Sequence, residues 1–235
     1  MLARAVEAGI ERILVPGWDL GSSIAALALA ERHAPLVQAA VGIHPHYVAA
    51  AGERDWQEVG GLVADPRCSA VGEIGLDFHR NLSPPEIQRA AIRRQLDVAA
   101  QLGKPVVIHD REAHAEITDL LVAWEGRPHA VRGVLHAFSG SPEMAAALTA
   151  RGFVVSFALP VAFRSAEGPR AAAVALDDGT YLVETDAPYL GPDRDARNEP
   201  TTAIRVSAEL ARLRSVAPQT IAEHARKVYD RLIAT

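Results

Sequence analysis

Short apolar segments alternate with amphipathic segments along the chain. Amphipathic, helix-like segments include residues 84–103, 112–125 and 142–151. The apolar segments with strand character are RILVPG, VQAAVGIHPH, SAVGEIGLDF, PVVIHDR, VRGVLHAFSG, FVVSFA and YLVETDAPYL, beginning at residues 12, 37, 69, 105, 131, 153 and 181. This alternation predicts a mostly parallel sheet with helices between its strands. The continuous apolar runs are typical of strands that are buried on both faces.

The number and order of these elements predict an α/β fold of the TIM (β/α)8-barrel type. A closed barrel of this type has eight strands, whereas the sequence offers seven. The chain opens with the helix-like segment LARAVEAG, and the first strand follows it. Because the strand precedes the helix in a βα unit, we expect the first barrel strand to be absent from this chain. No linker, low-complexity tract or short repeat is visible, so residues 1–235 are predicted to form a single domain.

Polar residues cluster where most of the predicted strands end. They are His44 and His46, Glu73 and Asp77, His109 and Arg111, His136, and Glu184 and Asp186. Residues i and i+2 of a strand point to the same face. The carboxyl ends of all strands meet at one mouth of a TIM barrel, where the active sites of such enzymes lie. We therefore expect these side chains to converge.

Several of these residues also have purely structural interpretations. A single histidine at a strand end is more often a hydrogen-bonded structural residue than a metal ligand, and Asp77 is compatible with a helix N-cap or a solvated acid. Glu73 is different, because an unpaired carboxylate inside an apolar strand is costly. Imidazole and carboxylate groups on several strand ends suit Zn²⁺, Mn²⁺ or a similar divalent ion. We interpret Glu73 as a cation-binding residue.

Five ordered motifs closely resemble those of the TatD family of metal-dependent deoxyribonucleases. They are VGIHPH, VGEIGLDF, PVVIHDR, HAFSG and ETDAPYL, and the segment RNEP at residues 197–200 resembles the family as well. The resemblance implies a TIM barrel of the amidohydrolase type and hydrolysis of DNA phosphodiester bonds. It also implies up to two divalent ions, such as Mg²⁺, Mn²⁺ or Zn²⁺. The family pattern begins with a strand that carries DxHxH, which this sequence lacks, and we favour a start site placed too far downstream.

The resemblance also implies a role for each candidate residue. Glu73 would bridge two metal ions, and His109 and His136 would bind one of them. Asp186 would bind the other ion beside the attacking water. The residues implied at the substrate end are His44, Arg111 and Glu184. An ion pair of Arg111 with Glu184 or Asp77 is the alternative for that arginine.

Composition adds limits to this interpretation. The formal net charge of −5 gives no sign of nucleic-acid binding, although bound metal ions can supply local positive charge. The single cysteine, Cys68, excludes an internal disulfide framework and fits a reducing cytoplasm. No apolar run approaches the ~20 residues of a membrane span, and no signal peptide is visible. We expect a cytoplasmic enzyme without an obligate protein partner.

The expected substrate is DNA, preferably a single-stranded end that can enter a deep barrel mouth. The sequence shows no platform of aromatic and basic residues for single strands. Two other functions stay open at this point. One is a metal-dependent hydrolase of another ester, lactone or amide on the same scaffold, since one fold hosts many chemistries. The other is a non-catalytic, metal-poor protein that binds a partner.

Overall fold

Strands and helices alternate along the chain in the computed structural model, which describes residues 1–126, 131–191 and 197–233. The strands are β1 (Ile13–Pro16), β2 (Val37–Val41), β3 (Cys68–Asp77), β4 (Val106–Arg111), β5 (Gly133–Leu135), β6 (Phe153–Phe157) and β7 (Tyr181–Val183). The helices are α1 (Leu2–Glu7), α2 (Leu20–His33), α3 (Glu53–Val63), α4 (Pro85–Leu102), α5 (His114–Ala123), α6 (Pro142–Thr149), α7 (Glu167–Ala175), α8 (Thr202–Arg214) and α9 (Pro218–Ile233), with a 3₁₀-helix at Leu159–Ala162. No helix within these ranges has the length and apolar character needed to cross a bilayer.

All seven predicted strands are present, but three of them end earlier than their sequence segments. β2 ends at Val41, β5 at Leu135 and β7 at Val183. The polar residues that follow these three strands lie in loops and turns. After β2, for example, the Tyr47 N–H donates to the His44 carbonyl and forms a turn (2.8 Å). The candidate site residues of these three segments therefore lie just beyond the strands.

Contacts between Cα atoms divide the chain into two units. The N-terminal unit comprises Arg12–Leu135 and Leu232–Thr235, and the C-terminal unit comprises Met1–Glu11 and His136–Arg231. In the N-terminal unit, β1 to β5 pair in sequence order and all in parallel. In the C-terminal unit, β6 pairs in parallel with β7. The α/β class is thus confirmed, whereas the single-domain organisation and the absence of a first barrel strand stay predictions.

Helix α4 covers β3 and carries much of the core of the N-terminal unit. Its first residue is Pro85, whose fixed φ suits the start of a helix, and Gly103, directly after its last residue, terminates it in the left-handed conformation (φ 62°). Its buried face contains apolar residues and two glutamines: Gln88, Ala91, Ile92, Gln95, Leu96 and Ala99. A helix with this face places two amides inside the core, where they need hydrogen-bond partners.

An ion-pair network joins α7 to α8 in the C-terminal unit. The Arg170 guanidinium donates to the Val161 carbonyl (2.9 Å) and to Glu209 Oε1 of α8 (2.8 Å). Arg212 donates to both oxygens of Glu209 (2.8 and 2.9 Å). The hydrogen bonds from Arg212, opposed by burial and assisted by Arg170, lower the pKa of Glu209 to about 2.

We predict that Glu209→Gln lowers the melting temperature at neutral pH by about 2–4 °C, the effect of about 1 kcal/mol in a chain of this size. The Glu209 pKa falls from the ordinary value of 4.5 to about 2 on folding. The ionised group therefore stabilises the fold above pH 4.5, and this contribution is lost as the pH falls through about 2. Thermal melts between pH 7 and pH 2 should show the two proteins converging at the acidic end.

The exposed Glu223 of α9 provides the matched control, since the Glu223→Gln variant changes the same charge at a solvated position. It should melt within about 1 °C of wild type at every pH. If the difference in melting temperature between wild type and Glu209→Gln did not change with pH, the ionic explanation would be contradicted.

Candidate active-site residues

Glu73 is half-buried within β3 and is paired with histidines. Its side chain is 14% exposed, and its backbone N–H donates to the Gly17 carbonyl (2.8 Å). The carboxylate oxygen Oε1 lies 3.0 Å from His109 Nδ1 and 3.6 Å from His44 Nε2. The carboxylate predicted from the sequence thus faces two imidazoles from the neighbouring chain segments.

Asp77, at the end of β3, is the most buried acid of this group at 2% exposure. Its Oδ2 atom lies 2.6 Å from His46 Nε2 and 3.2 Å from His109 Nε2. Its Oδ1 atom accepts the backbone N–H groups of His79 (3.1 Å) and Arg80 (2.7 Å). Burial alone would raise the Asp77 pKa, but hydrogen bonds from His109, Arg80 and His46 hold it well below its usual range. The N-cap interpretation of Asp77 is wrong, because the next helix, α4, begins only at Pro85 and the Asp77 carboxylate instead binds the turn that follows β3.

Three histidines of the N-terminal unit, His44, His46 and His109, form one cluster. The ring centroid of His44 lies 4.3 Å from that of His46 and 4.4 Å from that of His109. One nitrogen of each ring lies within 4.8 Å of the others, an arrangement that can hold a metal ion. Burial lowers the pKa of His44, against the attraction of Glu73. The sequence predicted that His46 lies with His44 at this strand end but gave His46 no role in metal or substrate binding.

A glycine sets how closely β3 approaches His109. Gly75 is paired in register with His109 and has a positive φ of 152°. A Cβ atom at Gly75 would lie 1.9 Å from the His109 carbonyl oxygen. Only glycine therefore fits here, and it brings the His109 ring between the carboxylates of Glu73 and Asp77.

Two buried glutamines of α4 fix the backbone of this cluster. The Gln95 side chain accepts the Ile43 N–H (2.8 Å) and donates to the Ile43 carbonyl (3.1 Å), next to His44. The Gln88 side chain accepts the Asp77 N–H (2.8 Å) and donates to the Asp77 carbonyl (3.1 Å). Sequence reasoning missed both residues. Their separation of seven residues on the apolar face of α4 was the available signal.

Arg111 ends β4 and is exposed, in register with Asp77. None of the ion pairs found among residues 1–126, 131–191 and 197–233 includes Arg111. The expected role of Arg111 toward a phosphate stays a prediction.

A second carboxylate–histidine cluster lies in the C-terminal unit. His136 contacts Glu184 through Nδ1, and its Nε2 atom lies 3.3 Å from Asp186 Oδ1. Glu184 also accepts the Ala137 N–H (2.6 Å) and the Ser156 hydroxyl. Burial alone would raise the Glu184 pKa, but the attraction of His136 and these hydrogen bonds lower it. Sequence reasoning found the first three residues and missed the support from Ser156.

Backbone conformation marks the same cluster. Asp186 and Ala137 have positive φ values of 57° and 44°, which side chains other than glycine adopt at a cost. The buried Asn198, from the RNEP segment, holds the loop after β7 by donating to the carbonyls of Thr185, Tyr189 (2.6 Å) and Leu190 (3.2 Å). Strained residues of this kind concentrate at functional sites, where the surroundings hold them in place.

The predicted residues thus lie in two clusters, one in each unit. Glu73, His44 and His109 contact one another in the N-terminal unit, and the C-terminal unit brings together His136, Glu184 and Asp186. The convergence of all of them at one mouth stays a prediction. Both clusters combine imidazole nitrogens with carboxylate oxygens, the donor set that fits Zn²⁺, Mn²⁺ or a similar divalent ion.

Comparisons with known proteins place these clusters in a family context. A family model described as TatD related DNase matches residues 1–234. The metal-dependent hydrolase YabD of Bacillus subtilis is 32% identical over 97% of this chain and 91% of its own length. The 3′-5′ ssDNA/RNA exonuclease TatD of Edwardsiella piscicida is 37% identical over 91% of this chain and 84% of its own. The crystal structure of YjjV, a TatD homologue from Escherichia coli, superposes with a TM-score of 0.91 at 29% identity, covering 100% of this chain and 90% of that one.

We predict that Gln95→Met lowers the free energy of unfolding by about 1–3 kcal/mol, because the buried Ile43 N–H and carbonyl lose their partner. The change in side-chain volume is small, so a cavity is not the cause. Denaturant unfolding of the purified protein measures the effect. Gln101→Met, at an exposed position of the same helix, is the matched control. Equal stabilities of the two variants would show that the amide of Gln95 does not support the Ile43 backbone.

Proposed function

We propose, on the premise that this chain belongs to the family of TatD-related DNases, that it is a metal-dependent nuclease. The proposed reaction is hydrolysis of phosphodiester bonds at the ends of single-stranded DNA. The TatD relative of E. piscicida is named as an exonuclease of single-stranded DNA and RNA, which supports this substrate class. The YabD relative is named as a metal-dependent hydrolase, which supports the use of metal.

The observation that carries the proposal is the environment of two imidazoles. His109 has Glu73 at Nδ1 and Asp77 at Nε2, and His136 has Glu184 at Nδ1 and Asp186 at Nε2. A neutral imidazole has a single N–H and can donate to only one of two carboxylates. A divalent cation bound by the other nitrogen and its carboxylate satisfies this arrangement. Imidazoles that bind metal ions are commonly oriented by such a carboxylate on their second nitrogen.

We assign the metal-binding role to Glu73, His109, His136 and Asp186. When bound, divalent ions would polarise the phosphoryl oxygens of the substrate and lower the pKa of a coordinated water. Asp186 would orient the attacking water and accept its proton, in the role of a general base. The strained backbone of Asp186 supports this assignment.

The remaining residues are proposed to contact the substrate or to position the ligands. His44, whose Nδ1 accepts the His46 N–H (3.1 Å), would direct Nε2 toward the phosphate. Arg111 would donate to the phosphate oxygens from the exposed end of β4. Glu184 would hold His136 in one tautomer and so leave Nε2 as the ligand atom. The local positive charge of the metal ions would offset the net charge of −5.

We predict that Glu73→Gln weakens Mn²⁺ binding at least about tenfold, since even a residue that only orients a ligand contributes a factor of 10–100. Isothermal titration of chelator-treated protein with Mn²⁺ measures this. Glu112→Gln is the matched control, because Glu112 is an exposed acid that follows β4 and pairs with His79 (2.8 Å). Equal affinities of wild type and Glu73→Gln would contradict the assignment of Glu73.

We predict that Asp186→Asn lowers kcat for a 5′-labelled single-stranded DNA by about 10²–10⁴, the usual contribution of a general base. Gel analysis of products with Mn²⁺ present would show removal of nucleotides from one end. Asp230→Asn, at a position that pairs with Arg226 on α9 (3.2 Å), should keep full activity. Hydrolysis of small esters or lactones, without cleavage of DNA, would refute DNA as the substrate. Nuclease activity that chelators do not reduce would refute the metal-dependent mechanism.

A further inference from the structure

An open cleft lies beside the histidine cluster of the N-terminal unit. It has a volume of about 350 Å³, within the range of small-molecule sites. One side is formed by the start of α2 and the other by the turns that follow β2. The lining residues are Leu20, Gly21, Ile43, Tyr47, Ala50 and Ala51, with the acids Asp19 and Asp55. The walls are thus largely apolar.

Backbone and ring contacts tie this cleft to the candidate active-site residues. The Tyr47 ring centroid lies 6.4 Å from the rings of both His44 and His46. The Trp18 carbonyl accepts the His44 N–H at 2.9 Å, and Asp19 and Leu20 of the cleft directly follow Trp18. A molecule in the cleft would therefore lie next to His44, the residue that we assign to the phosphate.

Two exposed aromatic residues belong to these segments. Trp18 is 47% exposed and Tyr47 is 44% exposed, although both rings are large and largely apolar. Exposed aromatic rings beside a cleft are the surfaces on which proteins stack the bases of single-stranded nucleic acids. Sequence reasoning did not recognise such a platform, because Trp18 and Tyr47 are 29 residues apart, and their segments are joined where the Trp18 carbonyl accepts the His44 N–H.

The charges that line the cleft determine which part of a nucleotide it can bind. Asp19 accepts the Ser22 N–H (2.7 Å) and so caps α2, and Asp55 accepts the Gly52 N–H (2.9 Å) at the start of α3. These two carboxylates repel a phosphate, so the cleft disfavours the sugar–phosphate backbone. A neutral, flat, aromatic group is compatible with them. Carboxylate oxygens can also accept hydrogen bonds from the exocyclic amino groups of bases.

We propose that this cleft binds a nucleobase of the single-stranded substrate, stacked on Tyr47 with Trp18 at the rim, while the adjoining phosphate lies at His44. The inference rests on the proposed nuclease function and extends it to substrate binding. It assigns Tyr47 and Trp18 to affinity for the base and not to the chemical step. Because every base has a π-face, the cleft should accept all four bases.

Fluorescence of 2-aminopurine tests the inference without catalysis. Single-stranded oligonucleotides with 2-aminopurine at successive positions from the 3′ end are titrated with protein in chelator. Stacking in the cleft should quench the probe at one terminal position. Tyr47→Ala should weaken binding about tenfold, within the range observed for loss of one base stack. Tyr47→Phe keeps the ring and should bind like wild type, as should Ile24→Ala, an exposed position of α2 outside the cleft.

An abasic residue at the quenched position provides the matched ligand. Wild type should bind the abasic oligonucleotide about as weakly as Tyr47→Ala binds the intact one, and combining both changes should cause no further loss. Trp18→Ala gives a second, independent variant should Tyr47→Ala fold poorly, and it too should weaken binding of the intact oligonucleotide.

The results separate this inference from the proposed function. In one outcome, wild type cleaves DNA, and Tyr47→Ala and Trp18→Ala bind both oligonucleotides as wild type does. This would overturn the proposed base-binding role of the cleft and leave the nuclease assignment intact. If quenching depends on Tyr47 but the Mn²⁺-loaded protein hydrolyses no DNA, the base-binding role of the cleft is supported and the nuclease function is refuted. Binding of the intact and abasic oligonucleotides with equal affinity by wild type would also overturn the inference.

Discussion

Burial of the Asp77 carboxylate at the end of a parallel strand is the constraint on which the N-terminal cluster depends. A charge that is 2% exposed persists only when its oxygens are fully hydrogen-bonded. Two backbone N–H groups and the rings of His46 and His109 supply those bonds. This requirement joins the loop after β2 to the ends of β3 and β4, and Gln88 holds the Asp77 backbone from α4. Hydrogen bonds therefore link the N-terminal cluster to α4.

The same rule governs the C-terminal unit. Glu184 is satisfied by His136, Ser156 and the Ala137 N–H, and the ring of His136 then faces Asp186. Each unit thus contains an imidazole between two carboxylates, held in position before any ligand binds. Such preorganisation costs stability locally, as the left-handed backbone of Asp186 and Ala137 indicates. The rigid strands and helices around each cluster supply the compensating packing.

Sequence patterns predicted the fold class and the strands because apolar periodicity and strand–helix alternation are local signals. They also found Glu73, since an acid inside an apolar strand stands out against its neighbours. They failed where a role depends on a partner distant in sequence. In the sequence, Gln95 is an ordinary helix residue, and only the fold shows that it accepts the Ile43 N–H. Likewise, only the fold brings the imidazoles of His46 and His109 to Asp77. The hydrogen bond from the His44 N–H to the Trp18 carbonyl likewise joins segments that are distant in sequence.

The central claim is that the carboxylate–imidazole clusters exist to hold divalent cations. Anomalous diffraction from crystals grown with Mn²⁺ or Zn²⁺ tests it most directly, because the ion itself is located. We expect an anomalous peak about 2.0–2.2 Å from a Glu73 oxygen and a His109 nitrogen, the usual lengths of such bonds. The claim is contradicted if, at saturating metal, the Glu73 and His109 side chains are fully ordered and still hydrogen-bonded to each other, and no anomalous peak lies near them.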